Sequence, residues 1–264
     1  MVKKKYNLTL VLSGGGARGM CHIGVLKVLD RINIVPDLIV GVSAGAMVGG
    51  MYSAGKLYAF EEELTHKTKK QLKRILSFWP SKGGLIQTKK LEKEYRKMLG
   101  DIKIEDLPKG FVAGTVDLLS GKRVMLDKGN LVQAILASTA IPIIFPPVHK
   151  DDMLLVDGGV DNPLPIDEGF RLAKKVIAVN VTRPVSQIPK KKKYGFMDIF
   201  ERSMDIIQNH ISENALKKYK KNLVVLRPKI NMSTLEFDMT KEAIKIGEEL
   251  TIRKIKEISD LAKK

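Results

Sequence analysis

Two apolar runs, each ending in a glycine-bounded turn that leads into a helix, constrain the fold of this chain more than any other feature. Leu8-Thr9-Leu10-Val11-Leu12 runs into Ser13-Gly14-Gly15-Gly16-Ala17-Arg18-Gly19, and Leu38-Ile39-Val40 runs into Gly41-Val42-Ser43-Ala44-Gly45. Short, near-continuous apolar runs of this kind read as strands buried on both faces. After the first turn, Ile23, Leu26 and Leu29, with Val25 and Val28 beside them, recur at helical spacing, and Asn33 and Pro36 end that helix. Ala44 to Ala54 reads as a second helix. Strand, helix, strand, helix in this order predicts an α/β fold, a three-layer sandwich with a mostly parallel central sheet.

The remainder extends that pattern. A lysine-rich stretch from about 56 to 105 keeps helical periodicity at Phe60, Leu64, Leu72 and Ile75, broken at Trp79-Pro80-Ser81-Lys82-Gly83-Gly84, and reads as a helical cap over the sheet edge. Phe111–Thr115 and Arg123–Leu126 read as paired strands joined at Ser120-Gly121. Leu131 to Thr139 reads as a helix, followed by the proline-stiffened loop Ile141–Pro147 and by a strand, Met153–Val156, that ends in Asp157-Gly158-Gly159. Val176–Val181 reads as another buried strand, Lys190–Lys193 as a basic loop, and Phe196, Phe200, Met204, Ile207 and Ile211 as the stripe of an amphipathic helix. Leu223–Leu226 reads as a short strand and about 240–261 as a last helix. A chain of 264 residues suits a single domain, with a core at about 7–182 and a C-terminal helical part at about 195–264.

Composition narrows the function classes. The net charge of +17 fits an anionic partner (a membrane surface, an acidic substrate or nucleic acid) or a surface that uses lysine by default. Aromatic and basic residues are not interleaved, which argues against nucleic acid. One cysteine, Cys21, excludes an internal disulfide and reads as a small residue packed in the first helix. The apolar run after Lys3-Lys4-Lys5 is too short for a signal-peptide core, and no 18-residue apolar stretch exists. The expected location is the cytoplasm, with peripheral membrane contact left open. The oligomeric state leaves no mark on the sequence.

The two turns carry the chemistry. Gly41-x-Ser43-x-Gly45 between an apolar strand and a helix has the form of a nucleophile elbow, in which the flanking glycines allow a sharp turn that projects the serine. The bland reading of Ser43 is a helix N-cap. Gly14-x-Gly16-x-x-Gly19 also fits a dinucleotide fingerprint, but the acidic residue expected to close the next strand is missing, because Asp30 lies in the helix and Asp37 precedes the strand. The turn is therefore assigned as an oxyanion hole built from the N–H groups of Gly15 and Gly16. Arg18 reads as a structural ion pair or as a contact for an anionic head group. A serine nucleophile needs a base. After Asp157 in the chain only His210 remains, placed beside an apolar stripe where a partly buried structural role is expected; His66 looks solvated, and His149 keeps a minor claim. Asp157, after an apolar strand and before two glycines, is the best base, with burial raising its pKa. Its bland reading is a turn-capping aspartate.

These motifs resemble the bacterial patatin-like phospholipase family: a G-G-G-x-R-G oxyanion turn at Gly14, Gly15, Gly16, Arg18 and Gly19, the elbow Gly41–Gly45, and a D-G-G motif at Asp157, Gly158 and Gly159, in that order. Ala137-Ser138-Thr139-Ala140-Ile141-Pro142 and Phe145-Pro146-Pro147 are similar to the family as well. The likeness covers about 7–182. It implies a Ser43–Asp157 dyad without histidine, acting on acyl esters of lipids with no metal or other cofactor. Phe78 and Trp79, among Lys73, Arg74 and Lys82, either touch a lipid interface or cover the core. Two other readings stay open: a soluble carboxylesterase or thioesterase, and a non-catalytic membrane- or nucleotide-binding protein that retains the fold.

Overall fold

The computed structural model describes residues 5–68, 70–71, 78–81, 84–86, 88–187 and 193–263. The first apolar run forms β1 (Tyr6–Leu12), followed by a 3-10 turn at Gly16–Met20 and α1 (Cys21–Arg31). The second forms β2 (Leu38–Val42) and leads into α2 (Ala44–Ser53). Then come α3 (Leu57–His66), the hairpin β3 (Phe78–Ser81) and β4 (Gly84–Ile86), α4 (Lys89–Leu99), β5 (Gly110–Asp117), β6 (Arg123–Leu126) and α5 (Leu131–Ser138). The hairpin β7 (Val148–Lys150) and β8 (Met153–Asp157) follows, then α6 (Ile166–Leu172), β9 (Ala173–Val179), α7 (Phe196–Lys217), β10 (Leu223–Leu226), α8 (Thr240–Arg253) and α9 (Ile255–Lys263).

One eight-stranded sheet has the order β10-β9-β1-β2-β5-β8-β7, with β6 also paired to β5. The five strands from β10 to β5 are parallel, and β6, β7 and β8 add antiparallel pairs at one side. Side-chain alternation splits β1 between two cores. Leu10 and Leu12 pack with Ile39 and with Ile23, Leu26, Val48 and Met51 of α1 and α2. Val11 packs on the opposite face with Val40, Val112, Val176, Ile166 and Leu216. Helices on both faces make three layers, with the carboxyl ends of β1 and β2 side by side: Leu12 is in register with Gly41.

Three readings are corrected. The last helix is two, α8 and α9, because the chain turns at Lys254, whose N–H bonds the Thr251 carbonyl in a tightened turn. That turn lets Ile244 face α1 while Ile258 and Leu261 join the same core further on, and Lys175 reaches the Ala262 carbonyl from β9. Helix α7 exists, but its buried positions are Asp205, Asn209, Ser212 and Leu216 rather than the apolar stripe. His210 is accordingly exposed, not partly buried. Leu72, Ile75, Lys73, Arg74, Lys82 and Lys190–Lys192 lie outside the described residues, and so do the side chains of Phe78 and Trp79.

Candidate active site

Ser43 stands between β2 and α2 with φ 55° and ψ −124°, a conformation that non-glycine residues rarely adopt and that functional turns retain. The glycines beside it allow the close packing behind it: a Cβ on Gly45 would lie 2.2 Å from the Leu12 carbonyl oxygen, and one on Gly41 would lie 2.5 Å from Gly45. The Ser43 N–H donates to Ser138 Oγ at 3.0 Å, and Ser138 Oγ donates to the Gly114 carbonyl at 2.7 Å. Ser138, a residue with no role assigned from sequence, thereby ties the elbow to β5.

Asp157 ends β8 and is buried, 4% exposed. Its main-chain N–H bonds the Ala140 carbonyl, and its Oδ1 accepts the Gly159 N–H at 2.7 Å. Burial pushes the carboxyl up to about 6, against the opposing pull of the neighbouring Ser43 hydroxyl and of the Gly159 N–H. Ser43 thus shares one cavity with a carboxylate whose affinity for a proton is matched to near-neutral pH.

The glycine turn faces this pair. The Gly14 N–H is taken by the Pro163 carbonyl and the Ala17 N–H by the Thr234 carbonyl. Among the described residues, the N–H groups of Gly15 and Gly16 have no acceptor, and both residues line the cavity that holds Ser43 and Asp157. Gly16 has φ +57°, and a Cβ there would lie 2.3 Å from the Thr234 carbonyl oxygen. Ser13 braces the turn from behind by accepting the Val181 N–H at 2.8 Å, while the buried His22 donates through Nε2 to the Ser13 carbonyl at 2.9 Å. Burial lowers the His22 pKa to about 4, so the ring is neutral. Gly19 lies behind the elbow, where a Cβ would meet Ala44 Cβ at 2.4 Å. Gly158 packs against the Gly114 carbonyl, and Gly159 lines the cavity.

Arg18 points to the side of the turn, not to its amides. It is 2% exposed, its Nη2 meets Asp205 Oδ1 at 2.7 Å, and Nε and Nη1 reach the Val181 and Met232 carbonyls. Arg183 meets the other Asp205 oxygen at 3.6 Å. Burial alone would push Asp205 up and Arg18 down; their mutual attraction opposes both shifts. Asp205 and the loop Ser233–Leu235 are contributions from the C-terminal third that sequence reasoning missed. His149, exposed on β7, and His66 do not line the cavity, which has a volume of about 250 Å³.

A second cavity of about 110 Å³ opens from the same point. Ser43, Gly16, Ile141, Thr234 and Leu235 border both. The first holds carboxylates, Arg18 and Gln208; the second is walled by Met47, Phe60, Leu64, Tyr95, Met98 and Phe145, with α3 and α4 supplying four of those.

Residues 10–170 match the family model described as patatin-like phospholipase. An uncharacterised NTE family protein of Mycobacterium tuberculosis strain H37Rv is 39% identical over 159 residues, covering 60% of this chain and 44% of that protein. Lysophospholipase NTE1 of the yeast Scheffersomyces stipitis is 31% identical over 267 residues, covering 90% of this chain and 17% of that protein. The chain therefore spans less than half the length of these relatives. Among solved structures, VipD from Legionella pneumophila shares the fold, with TM-score 0.50 at 14% identity over 94% of this chain and 66% of that one. With the family model covering more than half of its length, the chain belongs to the patatin-like phospholipase family.

Proposed function

We propose that the chain is a serine acyl hydrolase of lipid esters, with Ser43 as nucleophile, Asp157 as general base and the Gly15 and Gly16 amides as oxyanion donors. The observation that carries this reading is the buried Asp157 carboxylate lining one cavity with Ser43 and with two amides that lack acceptors among the described residues. No histidine lines that cavity among the described residues.

In this mechanism Asp157 takes the hydroxyl proton as Ser43 Oγ bonds to the ester carbonyl carbon. The carbonyl oxygen becomes an alkoxide held by the two amides, which point there before the charge develops. Collapse breaks the bond to the alcohol, which leaves with the proton from Asp157. Water then gives a proton to Asp157 and attacks the acyl-serine; the acid departs and Ser43 recovers its proton. The apolar cavity takes the acyl chain, since burying methylenes there releases water at about 0.8 kcal/mol each. The cavity that holds Asp157, Arg18 and Gln208 takes the leaving alcohol. The yeast relatives named as lysophospholipases support a lysophospholipid as the ester.

Fluorophosphonate labelling and ester hydrolysis test the reading together. Wild-type protein is expected to label at Ser43, and Ser43→Ala to lose both labelling and hydrolysis, by about 10⁴-fold or more. Equal labelling of Ser43→Ala, or full hydrolysis by Asp157→Asn, would end the proposal.

A further inference from the structure

Helix α7 is amphipathic in the reverse of the sense usual for a helix on a folded core. Three of its four buried residues, Asp205, Asn209 and Ser212, are polar. Its opposite row, Phe196, Ile199, Ser203, Ile207, His210 and Asn214, has no charged member. Phe196, Ile199 and Ile207 in that row are 69%, 56% and 47% exposed. Between the two rows, Met197, Glu201, Met204 and Gln208 line the cavity that holds Ser43 and Asp157. The apolar row therefore lies beside the mouth of that cavity. Two other segments add exposed apolar side chains at the same rim: Val160 and Leu235.

We propose that the outward row of α7, together with this rim, docks on an anionic lipid bilayer and seats the cavity mouth at the interface. Several arguments select a bilayer. The apolar residues come from a helix and two separate segments around one opening, an arrangement that suits a broad fluid surface better than a single peptide. A helix with one apolar face of this kind lies in the plane of the headgroups, its large side chains reaching the acyl boundary. The exposed Lys193 and Lys217 flank the row at its two ends, and the chain carries a net charge of +17, so negatively charged headgroups draw it in. The inference rests on the lipid-ester reading for its purpose, because an ester held in a membrane must enter through that mouth. Its test does not, because vesicle binding requires no hydrolysis.

The experiment is flotation with phosphatidylcholine vesicles, with and without phosphatidylglycerol, comparing wild type with Phe196→Asp/Ile199→Asp. Wild type is expected to float with the phosphatidylglycerol vesicles and to be released by salt. The double variant is expected to lose at least about tenfold in partitioning, with unchanged melting and unchanged hydrolysis of a soluble short-chain ester. Equal flotation of the variant, or no flotation of wild type, would overturn the proposal. Binding that is as strong without phosphatidylglycerol would overturn the anionic assignment. A wild-type dimer that the same substitutions dissociate would reassign the row to a contact between two copies. Failure of wild type to cleave any ester would sink the hydrolase reading and leave the flotation result standing.

Discussion

The turn between β2 and α2 and the helix α7 line the same cavity by opposite means. The turn is embedded in apolar side chains: Val40, Val42, Ala44, Ala46 and Met47 are buried, and one hydroxyl is held out from them by a backbone angle that few residues accept. Helix α7 sends carboxylate, amide and hydroxyl inward and leaves Phe196 and Ile199 in solvent. The bend of the turn is closed by a local contact, Gly41 against Gly45. The helix is oriented by Arg18, 187 residues away in the chain, and by Arg183. A polar side chain can face a core when a distant charge receives it, and local pattern carries no record of that charge.

The comparison breaks if Asp205 proves dispensable. Asp205→Ala leaves Arg18 and Arg183 buried without their carboxylate, and removing one member of a buried ion pair costs about 3–5 kcal/mol. Urea unfolding is expected to show a loss of that size with the slope unchanged. The double variant Arg18→Met/Asp205→Leu is expected to recover part of it, because no buried charge of that pair then remains. A loss below about 1 kcal/mol for Asp205→Ala would mean that α7 is held by something else and that its outward apolar row is incidental.

The same contrast explains what could be read from the sequence. β1, α1, β2 and α2 were legible because apolar runs and helical spacing lie within single segments, and the glycines mark where two backbones meet. Asp157 stood out for a similar reason, at the end of an apolar strand and before two glycines. Ser138 was visible only as part of a family-like segment; its bond to the Ser43 N–H joins residues 95 apart. The face that α7 buries was misread because Phe196, Phe200, Met204, Ile207 and Ile211 do form a stripe, and the usual inference that a stripe marks the core failed. The C-terminal third looked undistinguished, yet it supplies Asp205 and Thr234 to the site and α8 to the core.

That last contact gives the second test. Helices α1 and α8 approach until glycine is required on both: a Cβ on Gly24 would lie 2.0 Å from the Ile244 carbonyl oxygen, and one on Gly247 would lie 2.1 Å from that of Cys21. Gly24→Ala must push the helices apart, and overpacking of this kind costs about 1–3 kcal/mol. A Gly24→Ala protein with an unchanged urea midpoint would show that α8 is loosely laid on the N-terminal layers rather than fitted to them.

The smallest effect separates the chemistry of the turn from its stability. Asp157 has its pKa raised from an ordinary 3.8 to about 6, so the folded protein holds that proton more tightly than the unfolded chain does. Between those two values the folded state binds the extra proton, and stability falls as pH rises through the window. Above about pH 6 the whole cost of burying the carboxylate is present. Asp157→Asn removes the charge and keeps an oxygen for the Gly159 N–H. It is therefore expected to melt higher than wild type at pH 7, with the advantage fading toward pH 4, while hydrolysis is lost. His22 acts in the opposite direction in both proteins: its lowered pKa takes stability away as pH falls from its ordinary 6.5 toward about 4. The difference between the two melting curves cancels that shared contribution and isolates Asp157. An Asp157→Asn protein less stable than wild type at pH 7 would mean that the carboxylate is a structural cap for the Gly158–Gly159 turn, and the division between a turn strained for chemistry and a helix held by charge would fail at its first member.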